Sequence, residues 1–217
     1  MEIISTLRTT GATRTYTDDP VPDAAVHQLL DDARFAPSGG NRQPWKVAVV
    51  KDVTIRRRMA ELMQPVWDTY MARSALGITP FNSVDDQEPA DVAHSPNALL
   101  DGTESVPVVL AVAADLRRIA LMDGLFDRPA LTGGASIYPF CWSILLSARE
   151  RGLGGVMTTF LSRVEPAAAP DLGLPEHHAL AATIFLGVPV HQVTKLRRAP
   201  VESFTTLDRF DGPTFTP

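Results

Sequence analysis

The segment from Ala36 to Trp45, APSGGNRQPW, gathers small and amide-bearing residues between a predicted helix and a predicted strand. Ser38 supplies a hydroxyl, and Asn41 and Gln43 supply amides that both donate and accept hydrogen bonds. Small residues let a ligand come close to the backbone, so the loop can direct several N–H groups at one planar, acceptor-rich ligand. A flavin ring presents acceptors of this kind. The same residues are also compatible with a purely structural turn whose amides cap the loop itself.

Other chemistries are not indicated by the sequence. The five histidines are scattered or adjacent and lack the spacing of metal ligands: His27, His94, His177, His178 and His191. There is no G-x-S-x-G nucleophile motif, and the single cysteine, Cys141, lies in an apolar helical stretch, which predicts a small buried hydrophobe. We therefore predict no metal site and no catalytic side chain, so that a bound cofactor would have to carry any reaction.

Composition and charge narrow the class of protein. The chain has 217 residues, 25 acidic and 20 basic, for a formal net charge of −5. Its basic residues form no stripe that would match a phosphate backbone, so a nucleic-acid partner is not expected. The longest apolar run, 106–114, is far shorter than the ~20 residues that span a bilayer, and the start lacks the apolar core of a secretory signal. These features predict a soluble, cytoplasmic, single-domain protein without a membrane partner.

Hydrophobic periodicity predicts an alternation of helices and strands. Helices are expected over 21–36, from 55 to about 76 and from about 136 to 151, and a shorter one is expected where Ser162 and Glu165 have the spacing of a capping box. Short valine-rich runs predict a buried strand in 45–51 and central strands in 106–114 and 182–189. The basic run 56–58 is interpreted as a solvated helix face, and Gly152 as the C-cap residue after the third long helix.

Two stretches have no place in a simple helix and sheet pattern. Residues from about 77 to 105 are rich in Pro, Asp, Asn and Ser, which is typical of a lid over a site or of an excursion that covers a partner. The tail from about 195 to 217 carries Phe204, Leu207 and Phe210, and would expose too much apolar surface if it were free. We therefore expect this tail to wrap around a partner subunit.

The loop motif also resembles the A-P-S-x-x-N-x-Q-P-W signature of the FMN-dependent nitroreductase family. Further stretches resemble that family in the same order and cover nearly the whole chain: RTYTDDPVP (14–22), GGASIYPFCWSILLSARERGLGG (133–155), LGLPEHHALAATIFLGVP (172–189) and RRAPVES (197–203). The resemblance implies an α+β fold with a central mixed β-sheet flanked by helices, assembled as an intertwined homodimer with two FMN sites at the subunit interface.

The resemblance also implies an activity. It is that of an NAD(P)H oxidoreductase which reduces nitroaromatic, quinone or similar electron-poor acceptors by ping-pong hydride transfer on FMN. Three alternatives stay open at this point: a flavin-storing or flavin-sensing module without turnover, a flavin-fragmenting or dehalogenating relative, and a structural dimer without flavin. Selection among acceptors is expected to depend on the excursion and on Tyr138, Phe140 or Trp142.

Site residues follow from the resemblance position by position. Arg14 and Arg198 would bind the FMN phosphate, for which a bidentate guanidinium is well suited, unless they are solvated surface arginines. The residues that would contact the ribityl chain or the ring are Pro37, Ser38, Gly39, Asn41, Gln43, Gly154, Gly155 and Thr158. Trp45 is expected to be a core residue.

The chain departs from the family pattern at two places. Thr10, Gly11 and Ala12 stand where relatives have a further basic residue and a serine, and Trp142–Ser143 stands where they have Gln–Asn. Phosphate binding would then depend more heavily on Arg14 and Arg198, or recruit further basic residues: Arg8, Lys195 or Arg197. The departures predict weaker retention of FMN.

Overall fold

The computed structural model describes residues 2–84 and 87–217, and within them the chain folds into helices around one four-stranded sheet. The helices are α1 (Ile3–Thr9), α2 (Asp23–Ala33), α3 (Val53–Ala75), α4 (Ala98–Asp101), α5 (Tyr138–Glu150), α6 (Phe160–Arg163) and α7 (Glu165–Leu172). The strands are β1 (Trp45–Val49), β2 (Val108–Asp115), β3 (Gly154–Thr158) and β4 (His178–Gly187). No helix in the described ranges is long and apolar enough to cross a membrane.

The sheet has the order β1-β2-β4-β3, and each neighbouring pair is antiparallel. In the described residues its parallel component is a single bridge between Ala12 and Gly155, which brings the segment after α1 alongside β3. Helices cover both faces, which gives the α+β architecture expected from the sequence. The mixed character of the sheet is thus confined to that one bridge.

The core is divided by the sheet into two hydrophobic clusters. Ile184 and Leu186 of β4 lie in the cluster formed with α2 and α5. Phe185 lies between them in sequence and belongs to the opposite cluster, with Met59 and Met63 of α3. This alternation is the two-residue period of a strand buried on both faces. β2 is likewise buried along its whole length, so the two central strands, β2 and β4, form the buried centre of the sheet.

Two expectations about the first half of the chain were wrong. β1 is an edge strand whose residues are half-buried or exposed, so the valine-rich run was not a sign of a fully buried strand. Of the run 56–58, Arg57 and Arg58 are exposed as predicted, but Arg56 is buried, and its guanidinium donates to the carbonyls of Val50 (2.8 Å) and Val106 (2.6 Å). It lies on the same helical face as Met59 and Met63, so the helical period overrode the charge of the run.

The second half contains one confirmed prediction, one strand that the sequence did not predict and one wrong motif. Gly152 follows α5 with φ +77°, as expected for a helix C-cap. Residues 154–158 form β3, a strand that was not predicted from the sequence. Ser162 does not cap a helix; α7 begins at Glu165, whose carboxylate instead accepts a 2.5 Å hydrogen bond from the Leu180 amide of β4.

The connection between β2 and α5 is organised by one buried carboxylate, Asp123. It accepts hydrogen bonds from the amides of Leu131 (2.8 Å) and Thr132 (3.2 Å), from the Thr132 hydroxyl (2.6 Å) and from Arg128 (2.7 Å). These donors, first the Leu131 amide and then Thr132 and Arg128, hold the pKa of Asp123 well below its usual range.

Replacing this carboxylate should loosen the connection in a pH-dependent way. A depressed folded-state pKa stabilises the fold above the unfolded pKa, near 4, and this stabilisation is lost as pH falls toward the folded value. We expect Asp123→Asn to increase cleavage within 116–137 in limited proteolysis at pH 7, and the difference from the parent chain to shrink below about pH 4. Asp127→Asn, at an exposed position of the same connection, is the matched control. Equal protection of both variants at pH 7 would contradict the role of Asp123.

Candidate functional site

A cavity of about 570 Å³ lies between the end of β3, α3 and the residues that precede and form α4. We call it the Arg14 cavity. Its lining is mainly apolar and comprises Arg14, Trp67, Tyr70, residues 96–100 and residues 156–160. Arg14 is the only charged residue among them, and no ion pair for its guanidinium is found in the described part of the chain. The cavity therefore offers one free cation beside a large apolar surface.

Arg14 is positioned by a segment that is hydrogen-bonded to the sheet edge. The Thr13 amide donates to the Gly155 carbonyl (2.9 Å), and the Thr17 amide donates to the Val188 carbonyl (2.9 Å). Between them, the single proton of the Tyr16 hydroxyl is shared between the carbonyl oxygens of Thr13 (2.7 Å) and Phe185 (3.0 Å), and burial raises the pKa of that hydroxyl. The backbone on both sides of Arg14 is thus fixed while its side chain stays exposed.

An aromatic cluster forms one wall of the Arg14 cavity. The rings of Trp67 and Tyr70 lie nearly parallel with centroids 5.9 Å apart, and Phe160 meets both edge-on, at 5.9 and 5.7 Å. Trp67 Nε1 donates to the Ser95 carbonyl (3.0 Å), which fixes its orientation. A wall of this type suits a planar ring that stacks or packs edge-on. These residues were not predicted from the sequence, although Trp67 and Tyr70 are three apart on a predicted helix and so share one face.

Thr158 is a second polar group that the cavity leaves unsatisfied. Its Oγ1 is buried and finds no hydrogen-bond partner within the described residues, although Thr158 lines the cavity. A buried hydroxyl without a partner costs free energy unless a ligand or water completes it. Arg14 and Thr158 are the two predicted site residues that this cavity brings together.

Gly154 and Gly155 have a packing role that was not foreseen. Both are buried in β3. A Cβ on Gly154 would come within 2.7 Å of the Thr13 hydroxyl, and one on Gly155 within 2.8 Å of the Phe185 carbonyl oxygen. Glycine is therefore required here by the close approach of the Arg14 segment and of β4.

The loop 37–43 does not line the Arg14 cavity of the same chain. Its residues are exposed except Ser38, which is half-buried, and the backbone at Gly40, Asn41 and Gln43 has positive φ (61°, 52° and 47°). The Gln43 amide donates to Ser38 Oγ (3.0 Å), and the Gln43 side chain donates to Asn41 Oδ1 (3.0 Å). The loop is thus self-capped, with the remaining donors and acceptors of its amides facing solvent.

Sheet topology separates this loop from the Arg14 cavity. The loop leads into β1 at one sheet edge, and Gly39 N donates to Ser136 Oγ (3.0 Å) just before α5, on the face that α2 and α5 cover. The cavity lies at the opposite edge, on the α3 face. From Ala111, level with Thr158 in the cavity lining, to Ala114, level with Trp45, is about 10 Å along β2, and three inter-strand steps add about 14 Å across the sheet. One flavin ring cannot span that distance within a protomer.

The remaining predicted residues are surface or core groups. Arg198 is exposed and donates to the Arg197 carbonyl (2.7 Å). The tail nevertheless passes the Arg14 segment, because a Cβ on Gly11 would meet Leu196 at 2.9 Å and Val193 at 3.0 Å. Trp45 stacks on the buried Phe140 with centroids 4.6 Å apart. Two further residues lie away from the Arg14 cavity: Tyr138 and Trp142 are partly exposed on α5, which packs on the other face of the sheet.

Nucleophilic and metal chemistry gain no support from the structure. Cys141 is fully buried, and burial raises the pKa of its thiol to about 12, so the thiolate is not accessible at neutral pH. No group of three or more His, Cys, Asp or Glu residues suited to a metal ion occurs in residues 2–84 and 87–217.

Known proteins are similar to this chain in sequence. A family model described as Nitroreductase family matches residues 7–188. A protein of Archaeoglobus fulgidus with the provisional name NADH dehydrogenase/NAD(P)H nitroreductase is 35% identical over 87% of this chain and 86% of its own. Nitrobenzene nitroreductase of Ectopseudomonas oleovorans is 26% identical over 93% and 94%.

A solved structure agrees at the level of the fold. The NADPH:FMN oxidoreductase of Vibrio harveyi, complexed with NAD⁺, superposes with a TM-score of 0.69 at 20% identity and covers 95% of this chain and 76% of its own. With the family model matching most of the sequence, these findings show that the chain belongs to the nitroreductase family.

Proposed function

We propose that the protein transfers hydride equivalents from NAD(P)H to nitroaromatic, quinone or similarly electron-poor acceptors. The observation that carries this proposal is the Arg14 cavity, which combines one free cation with an aromatic wall and an unpartnered threonine hydroxyl. These groups fit a planar ring bearing a phosphate. The relative that acts as a nitrobenzene nitroreductase supports the choice of acceptor class.

Residues from two protomers would hold the FMN. In this proposal Arg14 and Arg198 bind the phosphate of one FMN, because the tail that carries Arg198 runs beside the Arg14 segment. The self-capped loop, with Ser38, Asn41 and Gln43, reaches the same FMN from a second copy of the chain. The separation of loop and cavity within one protomer is the reason to propose a homodimer, in which the tail 195–217 wraps the partner.

The chemistry of this site does not require an acidic or basic side chain from the protein. Bound FMN supplies two-electron hydride exchange between NAD(P)H and the acceptor. The chain would contribute binding and exclusion of water: Trp67, Tyr70 and Phe160 pack against planar ligands, and Arg14 stabilises negative charge. Because one cavity would serve donor and acceptor in turn, we expect ping-pong kinetics. Each round takes a hydride from NAD(P)H and a proton from solvent, and a nitro group loses one oxygen as water.

Anaerobic titration of the purified protein tests this proposal. We expect the bound flavin absorbance near the visible maximum to bleach on addition of NADPH or NADH, and to return when a nitroarene or quinone is added. Initial rates at several acceptor concentrations should give parallel double-reciprocal lines. Free FMN at the same concentration is the control for direct reduction.

Other outcomes would identify the alternatives. Flavin that stays bound but is not bleached by either nicotinamide would indicate a storage or sensing module. A colourless protein with no affinity for FMN would indicate a structural dimer. Reduced flavin that returns only with a halogenated phenol, releasing halide, would indicate a dehalogenating enzyme.

A further inference from the structure

A second cavity, of about 300 Å³, lies where β1 begins, β2 ends and β4 begins. Its polar lining consists of Gln43, Lys46, Asp115, Arg117, Arg118 and His178. We call it the Arg118 pocket. The flavin chemistry proposed above leaves its charged groups without a role.

The charge of the pocket is positive although the whole chain is acidic. Lys46, Arg117 and Arg118 are permanent cations, and Asp115 is the only carboxylate in the lining. Arg117 binds Asp115 in a bidentate pair (2.8 and 2.9 Å), and this pairing, with the Arg117 amide, lowers the pKa of Asp115 to about 2. Asp115 is therefore ionised at neutral pH and neutralises Arg117. Because the lining holds three Lys and Arg side chains and one carboxylate, a net positive charge remains for a ligand.

Arg118 is held in place by groups on both sides. Its Nε lies 3.6 Å from the buried Asp115 carboxylate, and its Nη1 donates to the Arg42 carbonyl (3.3 Å). His178 is fixed through Nδ1, which is 3.0 Å from the Glu176 carbonyl oxygen, so Nε2 is the ring atom available to a ligand. Glu176 is the nearest further acid in sequence and is highly exposed beside His177. Arg118, held in this way, and the nearby Lys46 supply positive charge that matches a dianion.

We propose that the Arg118 pocket binds a phosphate monoester, the 2′-phosphate of NADPH. This inference rests on the proposed function, since it takes a nicotinamide dinucleotide as the donor. Gln43 lines the pocket and also belongs to the loop that would contact FMN, so a dinucleotide whose nicotinamide lies on the flavin can extend along this loop. NADH lacks this phosphate, so the pocket assigns the protein a preference for NADPH.

Steady-state kinetics of the holoprotein test the assignment. Arg118→Ala and Lys46→Ala should each raise the KM for NADPH about tenfold, the scale of a charge-assisted hydrogen bond, while the KM for NADH changes less than about twofold. Arg118→Lys should recover part of the NADPH affinity because it keeps the charge. Lys51→Ala, which removes an exposed lysine paired with Asp23, is the matched control and should leave both values unchanged.

A direct binding measurement separates this inference from the proposed function. Calorimetric titration with 2′,5′-ADP should give an affinity that falls about tenfold in Arg118→Ala, whereas 5′-ADP should bind weakly to both proteins. Equal shifts for NADPH and NADH, or 2′,5′-ADP binding that is unchanged by both substitutions, would overturn the pocket assignment even if flavin reduction is normal. If the protein proves to lack flavin, the 2′,5′-ADP titration still decides whether the pocket recognises this phosphate.

Discussion

Arg14→Ala is expected to yield protein that is purified largely without flavin. The guanidinium is the only charged group in the Arg14 cavity, and a charge-assisted hydrogen bond to a phosphate contributes about 1.5–3 kcal/mol. The Kd for FMN should therefore rise roughly 10- to 100-fold. Titration of apoprotein with FMN, followed by the quenching of flavin fluorescence, measures the change.

Two further variants show whether the lower FMN affinity is caused by removal of the Arg14 charge. Arg14→Lys keeps the charge but not the bidentate geometry, so it should fall between the parent chain and Arg14→Ala. Arg58→Ala removes an exposed arginine of α3 that pairs with Glu61 and Asp171, and should not affect FMN. If Arg14→Ala binds FMN as tightly as Arg58→Ala, Arg14 is a solvated surface arginine and the phosphate is held elsewhere.

The Arg14→Ala variant also tests whether each FMN site is formed by residues of two protomers. Asn41→Asp keeps the shape of a side chain that tolerates the positive φ of this loop, but adds a negative charge beside the flavin acceptors. When Arg14→Ala and Asn41→Asp chains are co-expressed and the heterodimer is isolated by two tags, a composite arrangement gives one intact site and one doubly altered site. Recovery of about half the parental flavin content is then expected. No recovery above either homodimer would show that both residues act within one protomer.

Local sequence patterns predicted which segments form helices, strands and turns more reliably than they predicted whether a given side chain is buried. The loop 37–43 was predicted from small and amide side chains, and its turn character, including self-capping by Ser38 and Gln43, is visible in the structure. Arg56 was assigned to solvent because runs of basic residues are usually exposed. Its burial depends on the carbonyls of Val50 and Val106, which only the fold brings near.

In the candidate site, too, the sequence does not show which residues the fold brings together. Resemblance supplied Arg14, Thr158 and the loop, but no spacing in the sequence shows that the loop and Arg14 lie at opposite edges of the sheet, because that depends on the order of the strands. Part of the aromatic wall could have been predicted from the sequence, since Trp67 and Tyr70 share a helical face. Phe160 joins them only because β3 places it there, and β3 was not predicted because its first residues are glycines.

Gly155→Ala is expected to destabilise the protein by about 2–3 kcal/mol even when no flavin is present, as overpacking of a dense core commonly does. The added Cβ would lie 2.8 Å from the Phe185 carbonyl oxygen, a backbone atom of the central strand, and would also collide with Leu186. Relief requires β3 to move away from β4, which also displaces the Thr13 amide bonded to the Gly155 carbonyl and hence Arg14.

Urea denaturation of apoprotein at fixed protein concentration measures the effect, with Gly39→Ala as the control. A Cβ on Gly39 would meet only Ser136 Oγ at an ordinary 3.4 Å, so that variant should keep the stability of the parent chain. FMN affinity measured on the same samples separates two roles of Gly155. If Gly155→Ala loses FMN while its unfolding curve is unchanged, the glycine is needed for the approach of the ring. If the unfolding curve shifts as expected, the glycine is needed for close packing of β3, and the loss of FMN follows from the displaced Arg14 segment.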